Sequence, residues 1–192
     1  MGAFISKLVS SFKKRWRRAR LWSQNRNGCL CTDGRLWLNV PLLCDGTGRV
    51  SIGAEVTIGY ALAPIIGDGA ARLQARGADA CIAVGANTFL SNNVQVIAER
   101  SVTIGSRCLI GDAVLIMDSD FHDLSAAGRH HHPAETAPVV LEDNVFIGSR
   151  VIILKGVTIG KDSVIGAGSV VVRSIPPGVV AAGNPAKVIR PL

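Results

Sequence analysis

The sequence predicts an all-β solenoid, specifically a parallel β-helix, and three observations predict it. Aliphatic residues are abundant and aromatic ones scarce: 48% of the 192 residues are hydrophobic, only 5% are aromatic, and 21 are glycine. The string VTIG ends at Gly59, Gly105 and Gly160, with close variants ending at Gly53, Gly67, Gly85, Gly111, Gly148 and Gly166. From Leu141 an apolar residue recurs at every sixth position through Ile147, Ile153, Ile159, Ile165 and Val171. A small or aliphatic residue follows four places behind each, at Val145, Val151, Val157, Ser163, Ser169 and Ile175. Six-residue repeats mark a β-helix in which each hexad is one short strand plus a turn. Three hexads close an 18-residue triangular coil, so Leu141 stacks beneath Ile159 and Ile147 beneath Ile165. Each coil adds about 4.8 Å, the spacing of hydrogen-bonded strands. A narrow prism takes Val, Ile and Leu but no indole, which accounts for the shortage of aromatic residues. Where a glycine follows the inward aliphatic residue, it is expected to allow the tight corner.

The elements follow in order. Residues 1–26 form a basic arm that holds eight of the 21 Lys and Arg and none of the 14 acids, leaving 13 basic against 14 acidic side chains in residues 27–192. Within it residues 4–22 read as an amphipathic helix, with Phe4, Ile5, Leu8, Val9, Phe12, Trp16 and Ala19 on one face. The arm is either an interfacial anchor on anionic lipid or a cap on the open end of the solenoid. Trp16 and Trp22 beside clustered cations favour the first. Nucleic acid is not expected as a partner, because the near-neutral body has no basic groove to continue the arm.

Residues 27–192 form the β-helix domain. Its six-residue phase slips by two between Ile58 and Ile66, by two between Val96 and Ile104, and by one between Ile116 and Leu141. The last slip spans residues 118–133, unlike any hexad, and predicts an excursion loop over about 122–138. Insertions in solenoids gather on the binding face. Pro176 and Pro177 end the last coil, and Gly183-Asn184-Pro185 makes a turn before a final short strand, so residues 176–192 are read as a cap. There is no run of about 18 apolar residues that would span a membrane. The five cysteines are scattered and the start lacks a secretory signal, which together imply a reducing, cytoplasmic setting, with peripheral contact at the inner membrane face if the arm binds lipid.

The hexads at Val145–Ser149 and Ser163–Ser169, followed by Ala182-Gly-Asn-Pro-Ala-Lys187, resemble the hexapeptide-repeat acyltransferases. The likeness is to the branch of maltose and galactoside O-acetyltransferases and polysaccharide-modifying relatives, and runs from about Val50 to the C-terminus. It implies a left-handed β-helix, a homotrimer with active sites between subunits, acetyl-coenzyme A as donor and no metal. It further implies that His122, at the start of the excursion loop, is the general base. An imidazole with a pKa near ~6.5 suits removal of a proton from an attacking alcohol. Asp120 and Asp118 are close enough in sequence to orient that ring, and Asp118 also joins Asn92, Asn93 and Glu99 as acceptor-binding candidates. For the coenzyme the likeness points to Ser149, Ala167 and the Val172–Arg173 edge along the pantetheine arm, and to Lys187 and Arg190 at the phosphates. His130, His131 and His132 are read as polar loop. Zinc-dependent carbonic anhydrases share this β-helix but need histidines on neighbouring coils, and the hexads here have none. The leading expectation is direct acetyl transfer to a sugar hydroxyl, in a polysaccharide or lipid-linked precursor. An N-acyltransferase on an amino sugar, a serine O-acetyltransferase and a non-catalytic scaffold are the alternatives.

Overall fold

A computed structural model describes residues 25, 29–64, 67–131 and 133–192. The expected helix over 4–22, with the arm around it, and His132 lie outside the described residues. Among those described, twenty short strands wind around three flat faces. The first face stacks Leu30–Thr32, Arg49–Ile52, Cys81–Val84, Ser101–Ile104, Val139–Leu141 and Thr158–Ile159. The second stacks Leu36–Leu38, Val56–Ile58, Phe89–Leu90, Leu109–Ile110, Phe146–Ile147 and Val164–Ile165, topped by Val179–Gly183 and Ala186–Pro191. The third stacks Leu42–Gly46, Ala71–Ala75, Gln95–Ala98, Leu115–Met117, Ile152–Ile153 and Val170–Val171. Every pairing is parallel except that of the last two strands, which form an antiparallel hairpin.

The pairing registers place like residues above one another. Leu141 pairs with Ile159, Ile147 with Ile165 and Ile153 with Val171, as the 18-residue spacing predicts. Downward the inward columns continue as Ile104, Val84 and Ile52, as Ile110, Leu90 and Ile58, and as Ile116, Val96, Leu73 and Cys44. All of these are buried, so the core is a single apolar prism. The coils also begin earlier than the recognisable hexads, with a first turn from Leu30 to Gly46.

Three expectations need correction. The slip after Ile58 is not a two-residue adjustment: the next strand starts at Ala71, so residues 59–70 form a second excursion, not a hexad around Gly67. The larger loop also leaves earlier than residue 122. The strand before it ends at Met117, and an antiparallel bridge between Ser119 and Thr136 closes its neck. The glycine slot, finally, is not where the corners turn left-handed. At Gly148 an added Cβ would lie 2.6 Å from Ala167 N, and at Gly85 2.5 Å from Ser106 N, so these glycines admit the backbone of the next coil. The positive φ falls two residues later, at Asn87 (57°), Arg107 (57°), Arg150 (58°) and Asp162 (63°).

Candidate active site

Two edges of the prism carry the residues singled out from the sequence. The edge between the third and first faces bears Arg76, Glu99, Asp118 and the exit of the large loop, with Lys155 one coil above. The edge between the second and third faces bears the 59–70 excursion, Asn92 and Asn93, then Asp112, Ser149 and Ala167.

At the first edge the chain is pinned just before it leaves the coil. Asp118 is fully buried, and its carboxylate accepts from the backbone N–H groups of Glu99 (2.8 Å), Arg100 (2.8 Å) and Ser101 (2.6 Å). Those amides belong to the two-residue widening of the coil below, which a buried anion satisfies in place of water. Asp118 is therefore withdrawn from the acceptor-binding set. Asp120 also departs from expectation. Its Oδ2 lies 3.2 Å from Lys155 Nζ rather than against the His122 ring, and the same ammonium donates to Glu135 Oε2 at 2.7 Å. These hydrogen bonds, Glu135's foremost, raise the Lys155 pKa. Asp120 N also donates to Glu135 O (3.2 Å), and Ala137 N to Asp118 O (2.9 Å), closing the neck.

His122 is exposed immediately beyond that neck. Phe121 before it has φ 62°, which turns the chain so that its ring lies under the Arg76 guanidinium, 4.4 Å from centroid to Cζ. Arg76 also pairs with Glu99 at 3.3 Å. Glu99 thus stays on the His122 edge, bound to a cation. His130 and His131 pack edge to face, with 6.4 Å between centroids, in the outer loop.

At the second edge Asn92 is fully buried. Its amide accepts from Tyr60 N (2.9 Å) and donates to the carbonyls of Tyr60, Ala63 and Pro64. Asn93 Nδ2 donates to Pro64 O at 3.1 Å. Both asparagines staple the smaller excursion to its neighbouring coil. Both N–H donors of Asn92 are spent on that backbone and the residue is fully buried, so it too leaves the set.

The coenzyme candidates fall into three groups. Ser149 and Ala167 occupy successive corners, joined by Gly168 N donating to Ser149 O (2.9 Å), and Ser149 Oγ donates to Asp112 Oδ1. Arg173 and Lys187 face one cleft of about 340 Å³ with Val172, Pro185 and Ala186. Arg190 Nη1 turns back to donate to Pro191 O (2.9 Å). The cleft offers two cations and an apolar wall, a donor set that fits a phosphorylated, thioester-bearing carrier. Sequence reasoning missed Arg76, Phe121 and Lys155. A usable signal existed for Lys155: Ile153 stacks over Ile116, so Lys155 sits two residues on, directly above the loop exit.

Fold and site together define a class: a three-faced parallel β-helix of hexapeptide repeats with a histidine-bearing loop thrown from one edge. A family model described as the hexapeptide repeat of succinyl-transferase matches residues 138–173. The galactoside O-acetyltransferase of Escherichia coli K12 is 42% identical over 109 residues, 57% of this chain and 53% of that one. A 2,3,4,5-tetrahydropyridine-2,6-dicarboxylate N-acetyltransferase of Clostridium perfringens is 55% identical over 64 residues, 33% of this chain and 27% of that one. A hexapeptide-repeat acetyltransferase of Vibrio cholerae O1 biovar eltor, solved with acetyl coenzyme A, superposes with a TM-score of 0.56 at 38% identity, covering 58% of this chain and 60% of that one. Residues 138–173 thus carry the hexapeptide repeat, the chain is similar over about half its length to hexapeptide-repeat acetyltransferases, and its all-parallel coils fit a left-handed β-helix. It spans about half the length of the curated galactoside and yeast acetyltransferases that it matches.

Proposed function

We propose that the protein is an acetyl-coenzyme A-dependent O-acetyltransferase acting on a sugar hydroxyl, in a polysaccharide or lipid-linked precursor. The observation that carries this reading is His122: an exposed imidazole on a loop whose neck is fixed to the coils on both sides. In this mechanism the coenzyme supplies an activated acetyl thioester. Arg173 and Lys187 hold its phosphates along the cleft, with Val172 and Pro185 as the apolar wall. His122 takes the proton from the acceptor hydroxyl as the oxygen attacks the thioester carbonyl; the C–S bond then breaks, coenzyme A leaves and the imidazolium returns the proton to its thiolate. Transfer is direct, because no cysteine lies in the loop to form an acyl-enzyme. Glu99, still on the same edge, and Asn93 remain acceptor-binding candidates.

The active unit in this reading is a homotrimer. His122 and the Ser149–Ala167 corner lie on different edges, separated by the width of the third face, on the order of 10 Å. The outer ladder of the second face, Trp37, Thr57, Phe89, Leu109 and Phe146, is apolar except at Thr57 and partly exposed, as a subunit contact requires. An amino-group acceptor is the second reading, favoured by the Clostridium relative.

The test is His122→Ala. Acetylation in a screen of sugar and amino-sugar acceptors should fall by at least ~100-fold, the scale of general-base loss, with coenzyme binding unchanged. Near-normal turnover overturns the assignment, and the acceptor that is labelled separates oxygen from nitrogen transfer.

The basic arm is proposed to hold a cytoplasmic enzyme at the inner membrane face, each cation near an anionic surface contributing about 1 kcal/mol. Deleting residues 1–24 should abolish co-sedimentation with anionic vesicles and leave acetylation of a soluble sugar unchanged. Loss of assembly in that variant would instead mark the arm as a structural cap.

A further inference from the structure

Three consecutive features before His122 are tied to three different places. Asp118 is bound to the backbone of the coil below, at residues 99–101. Asp120 is tied to Lys155 of the coil above. Phe121 is tied to Arg76, two coils below, through the face of its ring. A bulky residue with φ 62° is held in a conformation that L side chains rarely adopt, so something must stabilise it. A guanidinium 4.4 Å over the ring is such a contact, and Arg76 is itself aimed by Gln74, whose Oε1 accepts from Nε at 2.8 Å, and by Glu99 at 3.3 Å. The side chains of Gln74, Arg76 and Glu99 stand outside the apolar interior of the prism, Gln74 also donating to Asp45 Oδ2 at 3.3 Å.

We propose that Arg76, Phe121 and Lys155 are positioning residues for His122: a two-sided lock, cation over ring from below and ammonium on carboxylate from above, that fixes the backbone on which the imidazole stands. This inference rests on His122 acting as the base. The physical logic is that a loop anchored at a single point swings about it, whereas anchors on opposite sides of the exit leave the next residue one direction in which to leave. A misplacement of about 1 Å at a reacting group costs on the order of 100-fold in rate, so the lock should be visible in turnover rather than in folding.

The experiment uses the full-length protein and four variants, Phe121→Ala, Phe121→Tyr, Lys155→Met and Lys155→Arg, with His122→Ala as reference. Two readouts are taken. Kinetics should show kcat reduced by about 10- to 100-fold in Phe121→Ala and Lys155→Met with KM for acetyl-coenzyme A unchanged, and recovery in Phe121→Tyr and Lys155→Arg, which keep the ring and the charge. Amide hydrogen exchange should show residues 119–136 opening in the two disruptive variants while the coils from Val139 onward stay protected. Wild-type kcat together with wild-type exchange in Phe121→Ala overturns the lock, as does a kcat loss that the Tyr and Arg variants fail to restore. Should His122→Ala prove fully active, the catalytic reading fails by itself. Exchange then still decides whether the lock exists, and an intact loop in both disruptive variants would sink it separately.

Discussion

Asp118 and Asn92 show how a residue type can be read correctly and its task wrongly. A carboxylate beside a histidine loop and an amide on another corner look like ligands for an acceptor, yet each bonds instead to backbone that departs from the hexad. Sequence spacing cannot reveal this, because the partners are 17 to 32 residues away and become neighbours only through stacking. The cysteines divide by place: Cys29, Cys44 and Cys108 are buried as small packing residues, while Cys31 is exposed. Burial pushes the Cys44 thiol up to about 12, and those of Cys29 and Cys108 upward as well. In the native protein at pH 8, iodoacetamide should therefore modify Cys31 and spare Cys44 and Cys108 until denaturant is added, as peptide mass spectrometry would show. The sign for stability follows. The unfolded Cys44 thiol ionises near 9.0 while the folded one stays neutral, so its contribution is intact below pH 9 and drains as pH rises towards 12. The slope is about 1.4 kcal/mol per pH unit. Equal alkaline slopes for wild type and Cys44→Ala in denaturant titrations would refute this.

At the scale of the hexad, two positions share the labour of the corner. Where glycine follows the inward aliphatic residue it makes room for the next coil, and the slot two further on takes a left-handed backbone, which Asn, Asp, Arg, Glu and Ala adopt here. Gly148→Ala should accordingly cost several kcal/mol, since a Cβ 2.6 Å from Ala167 N moves backbone rather than a side chain. Arg150→Gly should shift stability by no more than about 1 kcal/mol, because relief of the left-handed strain opposes the added freedom of the unfolded chain. Comparable losses in chemical denaturation of the two variants would show the division to be wrong. The hexad was legible because its inward residue repeats with the coil. From Leu141 onward the stacked pairs follow from counting alone. Below Val139 counting fails, since Ile104 pairs with Leu141 across 37 residues and Ile52 with Val84 across 32. Those connections leave the prism, and nothing periodic in the sequence says where they rejoin it. The lock on the loop was invisible for a related reason, as Arg76 and Phe121 meet only by stacking two coils apart, with the widened turn between Val96 and Ile104 in between.

For the whole molecule, the proposed trimer with its site between subunits predicts that one chain carries halves of two different sites. Protomers with His122→Ala and protomers with the paired changes Arg173→Ala and Lys187→Ala should each be inactive alone. Mixed by co-expression they should regain a sizeable fraction of activity, because some subunit contacts then bring an intact histidine loop to an intact coenzyme cleft. Activity that stays at the level of the separate variants would place the complete site within one chain.

The antiparallel hairpin at the top of the second face has a bearing on how long such an object is. A stack of parallel coils has no natural end, since its uppermost turn offers the same unpaired amides and carbonyls that every lower turn has already used. Here Val179–Gly183 adds one more parallel strand, and Ala186–Pro191 reverses across it, so the last ladder runs in a direction that no further coil can match. Ser163 and Ser169, polar occupants of inward positions, anchor this reversal by bonding Pro176 O, Val179 N and Gly183 N. The hairpin therefore acts as a chain terminator for growth along the axis, and a solenoid deprived of it would present a template on which other copies could polymerise into fibres.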